Sequence, residues 1–287
     1  MLKFFLLFIV GFVFIYLFSL ENKDMNNESF NVVQQIDGNN SVTYIGHATV
    51  LVKLGAAYFL TDPVLTDKIN FGLSKRKQLP GVTFDKLPLI DFILISHEHS
   101  DHLDKTTLRK FSKNIPIIIS SGLGDRIRNL GFADVRELSW WENTRIKELK
   151  ITAVPAKHIF SKSSGYIVEG SKTIYFTGDT GLFEEMKMIG EKFNIYLAFL
   201  PIGDYYPRLW FIPGFTKMTR ERHMAPDDVP EAIKKLKCDI VIPIHWGTFK
   251  ISGTSLEEPP EKMGKIIQNY HLKEKVFLLE HGSTLNF

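Results

Sequence analysis

Cysteine is nearly absent from this chain, and neither sign of charge dominates. Cys238 is the single cysteine among 287 residues, which excludes an intramolecular disulfide framework and a zinc site built from several thiolates. It precedes the apolar run IVIPI, so we expect it to be buried and inert. The 35 lysines and arginines nearly balance the 32 aspartates and glutamates, and no nucleic-acid partner is expected. The chain has no G-x-S-x-G segment to supply a serine nucleophile.

The longest apolar run opens the chain. Residues 1–20 read MLKFFLLFIVGFVFIYLFSL, and positions 4–20 would extend roughly 25 Å as a helix, close to the ~30 Å of a bilayer core. No small-x-small cleavage site follows, which favours an uncleaved single-pass anchor over a cleaved signal peptide. Lys3 before the span and acidic residues after it predict a main domain outside the cytoplasm. The polar segment 21–40 is interpreted as a linker to a globular domain at 41–287.

Beyond the linker, short β-rich runs come first and then alternate with helical segments. Runs such as FILIS and IVIPI are apolar throughout, which is typical of strands buried on both faces. The mixture predicts an α/β (α+β) domain whose sheets are covered by helices. The predicted strands are 42–45, 49–54, 57–61, 92–96, 116–120, 150–154, 165–169, 173–177, 195–200, 240–244 and 276–280. The predicted helices are 105–113, 123–130, 181–190, 227–237 and 260–270.

The segment FILISHEHSDHLD places four metal-binding side chains directly after a predicted buried strand: His97, His99, Asp101 and His102. Imidazole and carboxylate groups so close together suit a borderline-soft divalent ion. The chain has nine histidines, so three of them within six positions is improbable for a surface turn that is rich in histidine by chance.

Three further candidates follow other predicted strands. His158 comes after KITAVPAK, Asp179 lies in FTGDTG after TIYFT, and His245 lies in PIHWGTF after DIVIP. Each residue alone would be read as structural or as a surface residue. Because loops at strand ends are held by a rigid sheet, several such loops can converge on one edge. Together these residues indicate a site built from four loops.

The HxHxDH pattern, with a later histidine, GDTG and IHWGT, resembles the metallo-β-lactamase superfamily over about residues 41–287. The resemblance implies a four-layer αββα sandwich with two metal ions at the sheet edge. It implies that Asp179 bridges the two ions. It assigns His97, His99 and His158 to the first ion, and Asp101, His102 and His245 to the second.

Other segments are similar to one branch of that superfamily. YIGHATVLV, LTDP, PIGDYYPR, RHMAPDD and PIHWGTF resemble N-acylphosphatidylethanolamine-hydrolysing phospholipase D and its bacterial relatives, with ascorbate-6-phosphate lactonases more distant. The resemblance implies that His223 lies near the substrate phosphate, that His47 and Asp62 lie close behind the ligands, and that the protein forms a homo-oligomer. The alternative for Asp62 is a turn with the following proline, and for His47 a capped strand end.

Such a ligand set predicts a hydrolase but does not identify which type of bond is hydrolysed. Two cations about 3.5–4 Å apart can share a hydroxide and polarise a substrate oxygen. We expect a phospholipase D-like phosphodiesterase with two Zn²⁺ ions, a phospholipid or other ester substrate, and catalytic roles for Asp101 and His223. Histidine and carboxylate ligands also accept iron or manganese. Redox di-iron relatives carry glutamate where this chain has His99, which argues against that use. The alternatives are a lactonase of small phosphorylated or cyclic esters, and a metal-binding membrane protein without catalysis.

The segment 205–222 mixes aromatic and basic side chains between two of the motifs. This position predicts that it lies near the mouth of the site. Arg208 is the predicted contact to a substrate phosphate, alongside His223. The basic rim could also touch an anionic membrane surface. The alternative for the aromatic residues is packing into the core or against another subunit.

Overall fold

The computed structural model describes residues 39–158, 161–205, 211 and 214–287. The predicted anchor at 1–20 and nearly all of the predicted linker at 21–40 lie outside this part of the chain. Within the described part, no helix combines the length and the apolar character needed to cross a membrane.

Two large sheets organise the domain, and a third sheet pairs only Lys68–Ile69 with Ser74–Lys75. The first large sheet has seven strands, in the spatial order Thr284–Asn286, Ser41–Gly46, Thr49–Leu54, Ala57–Thr61, Phe92–Ile95, Ile117–Ser120 and Val135–Leu138. The second has six strands, in the spatial order Ile240–Ile244, Leu197–Pro201, Thr173–Phe176, Ser164–Glu169, Leu149–Pro155 and Asn143–Ile146.

The described helices are short. The α-helices are Lys105–Leu108, Gly124–Arg128, Glu185–Lys192, Phe215–Arg220, Val229–Leu236 and Glu258–Asn269, and the 3-10 helices are Asn70–Gly72, Phe84–Lys86 and Pro226–Asp228. The helix Lys105–Leu108 begins at a side-chain cap, because Asp104 accepts hydrogen bonds from the backbone N–H groups of Thr106 and Thr107. Pro226 and the following aspartates open the 3-10 turn before Val229–Leu236, close to the predicted helix start.

The domain has four layers, with the two large sheets between two layers of helices, and an apolar cluster fills each of the three spaces between the layers. The central cluster joins residues such as Tyr44 of the first sheet to Tyr166 of the second. A second cluster packs the outer face of the six-stranded sheet against three helices, through residues such as Ile233. A third packs Ile117 and its neighbours against Leu108 and other residues beside the seven-stranded sheet. The order helix, sheet, sheet, helix agrees with the expected sandwich, and Phe92–Ile95 is buried at every position because both of its faces are covered.

Several predicted elements differ from the structure. The run 276–280 is not a strand: Val276 forms one isolated bridge, and Phe277 and Leu279 pack into the central core. Its apolar character therefore reflects packing and not strand pairing. The predicted helix 105–113 ends at Leu108. The strand Val135–Leu138 escapes prediction because three of its four side chains are only half-buried at the edge of the sheet.

Parallel strands bring the motif loops to one edge of each sheet. In the first sheet, Ala57–Thr61, Phe92–Ile95 and Ile117–Ser120 are paired in parallel. In the second sheet, Thr173–Phe176, Leu197–Pro201 and Ile240–Ile244 are paired in parallel. Loops that follow the carboxyl ends of parallel strands lie side by side, which is where open α/β sheets hold their ligands.

Candidate metal centre

Three histidines from two loops form a first group of candidate ligands. His97 follows the strand Phe92–Ile95 in the first sheet, and His158 follows Leu149–Pro155 in the second. One nitrogen from each of His97, His99 and His158 lies within 4.8 Å of the others. His158 Nε2 is 3.1 Å from His99 Nδ1. These are the three residues that the resemblance assigns to the first ion, and their role as ligands stays a prediction.

A second group surrounds the Asp101 carboxylate. Its Oδ2 atom lies 3.0 Å from His47 Nε2 and 3.5 Å from the Nε2 atoms of both His102 and His245. All four residues are buried and offer ligand atoms within 4.8 Å of one another. The resemblance places Asp101, His102 and His245 here. His47, which the sequence predicts only near the site, is a full member of this group.

Asp179 connects the two halves of the cluster. Its Oδ2 atom lies 3.2 Å from His102 Nε2 and 3.1 Å from His245 Nε2. The same carboxylate also belongs to a group with His158 and His223. A side chain that reaches both groups has the position expected of a bridging ligand.

Charge is distributed unevenly over the cluster. Burial lowers the pKa of His47 and of His158 to about 3, so both imidazoles are neutral. Burial also disfavours charge on His102 and His245, but the neighbouring aspartates prevail. Asp179 and Asp101 hold the pKa of His102 well above its usual value and raise that of His245 to about 10. The neighbouring carboxylates therefore favour the protonated form of these two imidazoles.

A second layer of polar residues fixes the ligand orientations. Asp62 accepts hydrogen bonds from Ser96 N at 2.7 Å and Ser96 Oγ at 2.5 Å, and its Oδ2 atom lies 2.6 Å from His102 Nδ1. Asp62 therefore lies behind a candidate ligand, as the sequence predicts. Such partners orient metal-binding imidazoles.

Asp204 has the equivalent position behind His245 and is missed by the sequence reasoning. Its Oδ2 atom lies 3.4 Å from His245 Nδ1, and its Oδ1 atom accepts a hydrogen bond from Ser252 N. The available signal is its place in PIGD, directly after the buried strand Leu197–Pro201. That is the same strand-end position that marks Asp179.

His223 lies at the partly open side of the cluster. Its Nδ1 atom is 4.0 Å from Asp179 Oδ2, and its side chain is 14% exposed. Arg220 donates a hydrogen bond to the His223 carbonyl and pairs with Asp228, which fixes this turn. Arg208, the other predicted substrate contact, lies outside the described residues.

The donor set fits divalent metal ions. His97 Nε2 and Asp179 Oδ1 are buried, and neither forms a hydrogen bond with any residue in the described part of the chain. Unsatisfied buried nitrogen and oxygen atoms are unfavourable unless a ligand completes them. Two adjoining groups of imidazoles and carboxylates supply the atoms that zinc, iron and manganese accept.

Comparison with known proteins identifies the family. A "Beta-lactamase superfamily domain" matches residues 57–246. The chain belongs to the metallo-β-lactamase superfamily. "N-acyl-phosphatidylethanolamine-hydrolyzing phospholipase D 1" of Caenorhabditis elegans is 35% identical over 78% of this chain and 69% of that protein. The mitochondrial N-acyl-phosphatidylethanolamine-hydrolyzing phospholipase D of Saccharomyces cerevisiae is 30% identical over 84% of this chain, which spans only 55% of the yeast protein.

Solved structures confirm the fold. A protein described as a possible metal-dependent hydrolase from Veillonella parvula superposes with a TM-score of 0.73 at 20% identity, covering 87% of this chain and 100% of that protein. Further relatives are also named metal-dependent hydrolases. This chain is therefore a metal-dependent hydrolase of the metallo-β-lactamase fold.

Proposed function

We propose that the protein hydrolyses phosphodiesters in the manner of a phospholipase D, and that the two ligand groups hold two divalent ions. Zinc is the metal that we expect at both positions. The two relatives named as phospholipases D support the reaction class. The main structural support for the proposal is the position of Asp179, because this one carboxylate reaches both ligand groups. Shared carboxylates are the usual means of holding two ions at the separation that hydrolysis needs.

The predicted ligand set gains support from the structure. His97, His99 and His158 would hold one ion, Asp101, His102 and His245 the other, and Asp179 both. His47 faces the second group and would hold the Asp101 carboxylate in place through its Nε2–H. When bound, the ions supply Lewis acidity, neutralise substrate charge and lower the pKa of a coordinated water molecule toward neutral pH.

The remaining residues of the site would act on the substrate directly. His223 is adjacent to Asp179 and partly exposed, so a phosphate at the cluster would meet its imidazole. Burial lowers its pKa to about 4, which leaves a neutral ring able to donate one hydrogen bond. Arg220 holds the backbone carbonyl of His223 and so limits the movement of the ring. The predicted catalytic role of Asp101 fits its place at the centre of the second group.

Metal content and lipid hydrolysis test the proposal together. His99→Ala and Asp179→Ala should each lower bound metal and reduce turnover of a glycerophospholipid by about a hundredfold or more, because even the loss of a residue that only supports a ligand typically costs about 10- to 100-fold. His271→Asn is the matched control, because His271 is exposed and has a φ of 54° that asparagine tolerates. Elemental analysis and assays with a lipid and a lactone panel provide the readouts.

Three outcomes would contradict the proposal. Full activity with normal metal content in both alanine variants would remove the ligand assignment. Turnover of lactones alone, with no glycerophospholipid hydrolysed, would replace the phosphodiesterase by the lactonase alternative. Two bound metals with no hydrolysis of any ester would support a metal-binding protein without catalysis.

The proposal includes the membrane. We infer that residues 1–20 anchor the chain once and leave the hydrolase domain outside the cytoplasm, near its lipid substrate. The full-length chain should remain with membranes after an alkaline carbonate wash. Recovery in the soluble fraction would contradict the anchor and leave the hydrolase assignment unchanged.

Cross-linking of the purified chain tests the expected homo-oligomer.

A further inference from the structure

A cavity of about 860 Å³ adjoins the candidate metal centre. Its wall includes His158, one of the predicted ligands of the first ion. The cavity opens at the same strand ends as the centre, because Leu138 and Pro155 are the last residues of their strands. A volume of this size is typical of sites that hold a small molecule or a lipid headgroup.

One part of the cavity wall is apolar and aromatic. Trp140 is 50% exposed, and its Nε1 atom donates a hydrogen bond to the Ser163 carbonyl at 3.1 Å. Trp141, Leu138 and Phe183 also line the space. A half-exposed tryptophan whose polar atom already has a partner presents a flat apolar surface, which suits the carbon skeleton of a ligand.

Three cationic residues and one acidic residue are among those that line the cavity. Lys157, Lys162 and Arg222 line the cavity, and Glu185 is the acidic residue that lines it. Among the described residues, none of these three cations forms an ion pair with a carboxylate. Arg222 donates one hydrogen bond to the His158 carbonyl at 3.1 Å and so is held beside the centre. The cavity therefore carries unbalanced positive charge.

Hydroxyl groups add hydrogen-bonding capacity. Ser120, Ser121 and Ser163 lie in the lining. Ser163 is 6% exposed, and its buried Oγ atom has no hydrogen-bond partner in the described part of the chain. A buried hydroxyl without a partner is uncommon in a folded protein and marks a place where a ligand atom can be accepted.

We propose that this cavity binds a second anionic group of the substrate, a carboxylate or phosphate carried by the headgroup beside the phosphodiester that is hydrolysed. The inference rests on the proposed phosphodiesterase function and extends it to a substrate class: glycerophospholipids with an acidic headgroup. A headgroup with only an ammonium group would meet repulsion from the three cations. The lysines and Arg222 would pair with the anion, and the tryptophans would cover its carbon atoms.

Phosphatidylserine and phosphatidylethanolamine provide the test, because the first differs from the second by one headgroup carboxylate. The holoenzyme is assayed on each lipid at equal mole fraction in neutral detergent micelles. The wild type should show a higher kcat/KM for phosphatidylserine. Lys162→Gln should reduce the ratio of the two kcat/KM values about two- to fivefold, the range expected for one partly exposed ion pair, and Lys162→Glu should reduce it further.

Lys273→Gln is the matched control, since Lys273 is exposed and follows the helix Glu258–Asn269. It should leave the ratio unchanged, which separates recognition in the cavity from general attraction to an acidic micelle. Metal content should be equal in all variants. A ratio near one in the wild type, or a ratio that the Lys162 variants do not change, would overturn the inference while lipid turnover upholds the hydrolase proposal. If the metal-loaded wild type hydrolyses neither of these lipids nor N-acyl-phosphatidylethanolamine, the proposed function itself fails.

Discussion

The Thr248 hydroxyl accepts a hydrogen bond from the backbone N–H of His47 at 2.7 Å. The same hydroxyl lies 2.7 Å from His281 Nε2. The carbonyl of His47 accepts a hydrogen bond from His245 N at 2.7 Å. His47 has a φ of 58°, which is uncommon for a residue with a side chain. Its backbone is thus held on both sides while its ring faces Asp101.

Replacement of Thr248 by valine should destabilise the protein and loosen this arrangement. Valine keeps the shape but leaves the buried His47 N–H without its acceptor, which typically costs about 1–3 kcal/mol of unfolding free energy. Thr248→Ser keeps the hydroxyl and should lose much less. Denaturant unfolding of both variants measures the difference, and lipid turnover should fall only in the valine variant. Equal stability of the two variants would show that the hydroxyl is not needed.

Two glycines give a contrasting pair of predictions. A Cβ atom on Gly203 would collide with the carbonyl oxygen of His245, whereas one on Gly264 would meet nothing within 4 Å. Gly203→Ala should therefore displace the loop that carries His245 and lower both metal content and activity by about tenfold or more, as loss of ligand support typically does. Gly264 lies inside the helix Glu258–Asn269, so Gly264→Ala should raise the unfolding free energy by about 0.5–1 kcal/mol.

Thermal unfolding and elemental analysis of the two glycine variants check this pair. The comparison controls for a general effect of the added methyl group. Normal metal content in Gly203→Ala, or loss of stability in Gly264→Ala, would contradict the local packing on which the predictions depend.

Much of the fold follows from patterns that are local in sequence. The run at 240–244 is buried at all five positions because sheet and helix cover its two faces. Its uniformly apolar sequence is enough to predict this burial. The run at 276–280 has a similar composition but packs into the core without joining a sheet. Strand pairing depends on distant partners, and Thr284–Asn286 pairs with a strand more than 200 residues away. Composition alone does not contain that information.

The candidate site, like the fold, can be predicted from the sequence only in part. Histidines and aspartates at strand ends are visible in the sequence, and the structure brings His97, Asp101, Asp179 and His245 together. Asp204 escapes notice because one carboxylate after a strand resembles any turn residue. Its role depends on the 3.4 Å separation from His245 Nδ1, which the three-dimensional fold sets.

Cys238 should be unreactive in the folded protein. It is 1% exposed, as the sequence predicts, and burial raises the pKa of its thiol to about 12. The thiolate is the reactive form, so a thiol reagent at pH 8 should label the native protein at least a hundredfold more slowly than the protein in guanidinium. Since the pKa is raised in the folded state, stability from the neutral thiol is complete below about pH 9 and declines as pH rises toward 12. Rapid labelling without denaturant would contradict the buried position.

The pairing of the last described strand with the first has a consequence for the order of folding. Thr284–Asn286 and Thr49–Leu54 flank Ser41–Gly46 in the sheet, and His47 follows that strand directly. A ribosome makes the chain from its amino end, and contacts between distant residues form late. This side of the strand Ser41–Gly46 therefore stays unpaired until residue 286 has been synthesised. The seven-stranded sheet that holds the loop from His97 to His102 therefore gains the strand Thr284–Asn286 long after that loop has been synthesised.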